Sequence, residues 1–195
     1  MRWVAAAPCV PGAGVMARMG LFSRLWLARL SRPAAERVIY RHVLRRPPAR
    51  ILELGLGLLG RTERLLTASA VGETPVHYVG LDRFEGRAPA DPPGVTLKEA
   101  HRRLHRLGRV QLVPGNIDTS LARLCNHLGV FDMVVISAEN DERHLERCWF
   151  FLQRITTAAT TVFLERRTGT EAAWGTLPKA RIDALAAQVV LRRAG

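Results

Sequence analysis

Glu53 stands two residues before a glycine-rich turn, Gly55-Leu56-Gly57-Leu58-Leu59-Gly60, and closes the apolar run that begins at Ile51. Glycines at 55, 57 and 60 let backbone N–H groups approach a ligand where a Cβ would stand in the way. A helix starting at Arg61 or Thr62 would point its positive end at that ligand. A diphosphate in this turn gains nothing from a carboxylate beside it, whereas a cationic ligand with an amino group does. Plain strand-to-helix links are also glycine-rich, so the acid is the informative residue. A second acid, Asp82, ends the next apolar run, Val76-His77-Tyr78-Val79-Gly80-Leu81. Its two oxygens suit the two hydroxyls of a ribose, although an Asp at a strand end also caps turns. Asn116 follows Gly115 after a third run. Glu139, Asp141 and His144 follow a fourth and are the candidate general bases.

These residues need a scaffold that brings four run ends together. Strands are expected at 51–54, 76–82, 110–113, 131–136, 160–164 and 188–192. Between them lie helical patterns at 62–70, 96–107, 118–128, from about 142 to 155, and 178–187. Strands alternating with helices of this length imply a parallel sheet covered on both faces. With right-handed crossovers and a switch point beside the first strand, the tips at Glu53, Asp82, Asn116 and Ser137 converge on one edge. The expected fold is an α/β three-layer sandwich.

Glu-x-Gly-x-Gly at 53–57 resembles motif I of the class I S-adenosylmethionine-dependent methyltransferases, and the resemblance extends over residues 34–167. It implies a mostly parallel twisted sheet in the Rossmann-like methyltransferase order. The chain ends near its sixth strand, so the family's final antiparallel strand is expected to be missing. The implied cofactor is S-adenosylmethionine, with Glu53 and the turn at Gly55, Gly57 and Gly60 on the methionine portion and Asp82 on the ribose. Gly115-Asn116-Ile117 resembles the turn that surrounds adenine in this family, with Asn116 in place of the usual Asp. A polar turn with Asp118 as helix cap fits that segment equally well. Leu59 stands where the family has a further glycine. The segment 131–136 resembles the fourth-strand motif, after which catalytic residues come. Ser137 stands where metal-dependent members carry an Asp, and no metal is expected. The base-methylating Asn/Asp-Pro-Pro-aromatic and Pro-Cys motifs are absent. The expected activity is methyl transfer to a small-molecule acceptor. The alternative is a non-catalytic nucleotide-binding or interaction domain of the same fold with an acidic partner.

The chain has 195 residues and a formal charge of +12. Residues 1–50 carry ten arginines against Glu36 alone. An arginine-rich segment is an electrostatic footprint for nucleic acid or an anionic surface, and equally the mark of an arginine-rich base composition. The organisation expected is a tail over 1–19, with Met16 and Met19 as alternative starts to Met1, then basic helices over 20–48, then a Rossmann-like cofactor domain over 49–195. The helix near 20–30 is amphipathic and suits packing on the domain or on the second subunit of a homodimer. Cys9, Cys125 and Cys148 lack metal or redox spacing and suit a reducing, cytoplasmic compartment. No apolar run approaches the length of a membrane span.

Overall fold

A computed structural model of the chain describes residues 20–70, 74–169 and 171–194. The expected tail over 1–19, with Cys9, lies outside the described residues. Two helices come first, α1 (Leu21–Arg29) and α2 (Arg37–Arg45). The alternating part follows as β1 (Arg50–Leu54), α3 (Gly60–Ser69), β2 (His77–Asp82), α4 (Leu97–Leu104), β3 (Arg109–Pro114), α5 (Ile117–Leu128), β4 (Met133–Ile136), α6 (Glu142–Ile155) and β5 (Thr161–Thr168). The chain closes with β6 (Glu171–Leu177) and α7 (Lys179–Ala194).

The six strands form one sheet in the order β3-β2-β1-β4-β5-β6. All neighbours are parallel except β5 and β6. The order reverses between β1 and β4, which makes the carboxyl ends of those strands the natural ligand crevice. Period-two alternation sorts the strand residues between two cores. Leu52, Leu54, Val79, Leu81, Val134 and Ile136 pack with Leu121 of α5, Leu152 of α6 and Ile182 of α7. Ile51, Tyr78, Met133, Val135 and Phe163 pack with Tyr40 of α2, Leu65 of α3 and Leu104 of α4. The result is a three-layer α/β sandwich.

The far edge differs from the sequence expectation. Residues 188–192 continue α7 rather than forming a strand. Val189, one turn after Leu185, packs with it on the same core. An antiparallel strand is present, supplied by Glu171–Leu177 paired to β5 through a turn in which Gly169 has φ +61°. Only glycine adopts that backbone without cost. The strand escapes notice in the sequence because Glu-Ala-Ala-Trp-Gly-Thr-Leu contains few β-branched residues.

α2 is held on α3 by a half-buried network. Tyr40 Oη donates to Glu36 Oε2 at 2.5 Å, and Arg64 reaches Tyr40 Oη at 2.9 Å and Glu36 Oε2 at 2.7 Å. α1 exposes Phe22, Leu25 and Trp26, and Leu30 just after it is exposed as well. Cys125 and Cys148 are buried free thiols. No helix among the described residues is long and apolar enough to cross a membrane.

His42 on α2 packs edge-on against Phe163, ring centroids 5.5 Å apart. Burial, and then the charge of Arg46, pushes its pKa below the ordinary 6.5. The unfolded chain therefore binds the proton more readily. Stability is full above about pH 6.5 and falls as pH drops through that value toward the folded pKa. Denaturant titrations between pH 8 and 5 should show this loss. His77, whose pKa is also lowered by burial and then by Arg50 and Arg109, adds to it. His42→Gln should therefore reduce the loss, and His42→Gln with His77→Gln should flatten it.

Candidate functional site

Glu53 points away from the crevice, into the core beneath α3, and is fully buried. Three groups saturate it. Arg61 Nε lies 2.7 Å from Oε1, while Thr62 Oγ1 and Tyr78 Oη donate to Oε2 at 2.9 and 2.7 Å. Arg61 continues to the Gly55 carbonyl, which it meets at 2.6 Å. Its guanidinium also stacks 5.0 Å from the centroid of Trp174 on β6. Burial alone would lower the Arg61 pKa, but the Glu53 carboxylate, through its charge and hydrogen bond, with Glu36 and Glu165 adding to it, holds it above its ordinary value. Burial, followed by the Glu53 charge, holds the Tyr78 phenol well above its usual range. The motif acid thus fixes the turn from below through Arg61 and has no side of its carboxylate turned to the crevice.

The turn itself has left-handed backbone at Gly55 (φ +82°), Gly57 (φ +57°) and Leu59 (φ +68°). Leu59 takes this conformation at the N-cap of α3 with its side chain fully buried. Gly60 is the first residue of α3 and does not line the crevice. A Cβ on Gly55 would lie 2.9 Å from Asn140 Nδ2, and one on Gly57 would lie 2.9 Å from the Glu139 carboxylate. The space above both glycines is therefore filled by side chains of the β4–α6 loop. Asn140 donates to the Leu54 and Ser137 carbonyls at 2.7 and 2.8 Å.

Asp82 is held from several directions. Its Oδ2 accepts from Leu56 N at 2.7 Å and Gly57 N at 3.2 Å, and its Oδ1 accepts from Phe84 N at 2.9 Å. Arg87 Nη2 lies 2.7 Å from Oδ2 and 2.9 Å from Oδ1. The same guanidinium is 3.5 Å from Glu139 Oε2. That Glu139 oxygen is buried and has no hydrogen-bond partner among the described residues.

Asp82, Asn116, Glu139, Asp141 and His144 all line one narrow crevice, with Gly55 as part of its floor. Asn116 caps the start of α5 by position, yet its side chain makes no capping bond. Asp118, expected as a helix cap, is buried in the first turn of α5 and accepts from Thr119 N at 2.8 Å. Asp141 is committed to the N-terminus of α6, accepting from Arg143 N at 2.8 Å and His144 N at 3.4 Å. The Arg143 N–H is also what lowers its pKa. Glu165, within β5 just past its pairing with β4, is buried and accepts from Ser137 Oγ at 3.0 Å and Ala138 N at 2.9 Å. It shapes the loop that carries Glu139. Among the described residues no group of three or more His, Cys, Asp or Glu is placed to hold a metal. A larger cavity beside His42, Pro48 and Asp132 opens at the amino ends of the strands, away from these residues.

Arg61, Tyr78, Arg87 and Asn140 were not apparent as site residues in the sequence. Arg61 could have been flagged, since an arginine beside a buried strand-tip acid is its natural partner. Arg87 sits in an aperiodic Pro/Gly/Asp loop that gives no signal of side-chain direction.

No family model matches the chain, and no curated protein matches it. Solved structures do. An O-methyltransferase from Bacillus cereus in complex with SAH superposes with a TM-score of 0.54 at 15% identity, covering 90% of this chain and 79% of its own. TomG, an O-methyltransferase from Streptomyces achromogenes involved in tomaymycin synthesis and solved with SAM, gives 0.53 at 15%, covering 90% and 78%. A cofactor-bound protein from MTB gives 0.52 at 18%, covering 86% and 75%. With the strand order, the glycine turn after β1 and the acid at the tip of β2, the chain has the fold of the class I S-adenosylmethionine-dependent methyltransferases.

Proposed function

We propose that the chain binds S-adenosylmethionine in this crevice and transfers its methyl group to a hydroxyl of a small-molecule acceptor. The observation that carries the reading is Asp82, fixed at the tip of β2 by three backbone N–H groups beside the left-handed glycine turn. The O-methyltransferase names of the structural neighbours support the hydroxyl acceptor.

The residues fit the group, because only side chains fill its place. Arg87, Glu139 and Asn140 cover a floor whose backbone already has the glycine geometry. Asp82 would take the ribose hydroxyls, Gly55 and Gly57 the methionine portion, and Asn116 the adenine edge. When bound, the cofactor supplies a methyl group on a sulfonium, ready for direct displacement. The chain's own contribution is then mainly orientation. Glu53 acts indirectly by setting the Gly55 carbonyl through Arg61. Glu139 is the favoured base: its Oε2 makes no hydrogen bond beside Gly57 and is ion-paired with Arg87 at 3.5 Å, so that withdrawal of Arg87 would leave it to take the acceptor's proton. Asp141 positions α6, and His144 stands at the crevice as a second proton acceptor.

The second reading, a non-catalytic domain of the same fold, draws on the filled floor. In it the arginine-rich N-terminal region meets an acidic partner such as nucleic acid. The exposed apolar side of α1 is the surface a homodimer would use. Calorimetric titration with S-adenosylmethionine, S-adenosylhomocysteine and NAD separates the readings. Saturable binding of the first two and not of NAD is the expected result. Lack of binding by all three, in wild type and in Arg87→Ala alike, would transfer the case to the second reading.

A further inference from the structure

We propose that Arg87 is a latch on the nucleoside site. Its guanidinium holds the two oxygens of Asp82 that a ribose diol would take, and its withdrawal is the step that admits the cofactor. The proposal rests on the methyl-donor reading and adds a control to it.

The loop after β2 is built around this one side chain. Arg87 Nη1 donates to the Pro92 carbonyl at 2.7 Å. Gly94 passes so close to the Arg87 stem that an added Cβ would collide with Nε, Cζ and Cδ. Arg83 meets Asp91 at 2.7 Å, and Asp91 accepts from Ala88 N at 2.6 Å, which closes the loop on itself. The far end is tied by Leu97 N donating to Glu85 Oε1 at 2.9 Å. These bonds hold Arg87 over Asp82 without help from the glycine turn.

Asp82 does not need Arg87 to stay in place. Leu56 N, Gly57 N and Phe84 N orient its carboxylate from the other sides. Withdrawal of Arg87 therefore leaves a preformed acceptor facing the crevice. Glu139 belongs to the same cover, since it lies on Gly57 and 3.5 Å from Arg87. A ligand that binds only the open arrangement has its apparent affinity reduced by the open fraction. Loosening the latch must then tighten binding, the opposite of what loss of a ligand contact does.

Two full-length variants test this. Arg87→Ala removes the guanidinium. Gly94→Ala keeps it and places a methyl group where its stem lies, evicting a flexible side chain rather than backbone. Both should bind S-adenosylhomocysteine at least about tenfold more tightly than wild type in calorimetry. Hydrogen exchange over residues 86–94 of the wild type should speed up when that ligand saturates the protein. Equal affinity in all three proteins, weaker binding by Arg87→Ala, or slower exchange in the loop would overturn the latch and leave the methyl-donor reading standing. Absence of binding in all three would overturn both.

Discussion

Arg61→Ala is expected to cost about 3–5 kcal/mol of folding stability, the range for leaving a buried carboxylate without its partner. Glu53 lies under α3 with no exposed surface, and Arg61 is its charge partner at 2.7 Å. Removing the guanidinium leaves Thr62 and Tyr78 to solvate the anion alone, and frees the Gly55 carbonyl as well. For a chain of this size each kcal/mol shifts Tm by about 2–4 °C, so Tm should fall by roughly 6–20 °C. Arg61→Lys should recover only part of this, because an ammonium cannot reach Glu53 and Gly55 together or stack on Trp174. Thermal and urea unfolding measure both. A loss below about 1 kcal/mol, the range of exposed pairs, would mean that water reaches Glu53.

Asp82→Ala is expected to abolish nucleoside binding by roughly 10²–10⁴-fold. Two hydrogen bonds to a charged group, each worth about 1.5–3 kcal/mol, are lost. The backbone N–H groups of Leu56, Gly57 and Phe84 lose their acceptor at the same time. The glycine turn should loosen, seen as faster amide exchange at Leu56 and Gly57. Asp82→Asn keeps one oxygen for Leu56 N and should preserve the turn better than binding. Calorimetry and exchange on the pair therefore separate the two roles of this residue. Unchanged affinity in both variants would remove Asp82 from the site.

The sheet was legible because β1, β2 and β4 are near-continuous apolar runs, as strands covered on both faces must be, and β5 opens with Val162-Phe163-Leu164. The crevice was legible for the same reason: strand order and run ends are enough to gather Asp82, Asn116 and Glu139. β6 was not legible, since a hairpin needs only a turn at Gly169 and room beside β5, which no local pattern states. Nor were the partners of the two acids. Spacing placed Glu53 and Asp82 at strand tips, but an acid at a tip can face either way along the pleat. Register sends Glu53 with Ile51 and Tyr78 into the core under α3. Arg61 and Arg87 then answer the two carboxylates through contacts that only three-dimensional packing reveals.

The most direct measurement is a crystal structure of the Gly94→Ala protein grown with S-adenosylhomocysteine. The expected result has both ribose hydroxyls on Asp82, Arg87 withdrawn from it, and Glu139 lifted off Gly57. A crevice still closed by Arg87 at saturating ligand, or a nucleoside bound away from Asp82, would contradict the assignment.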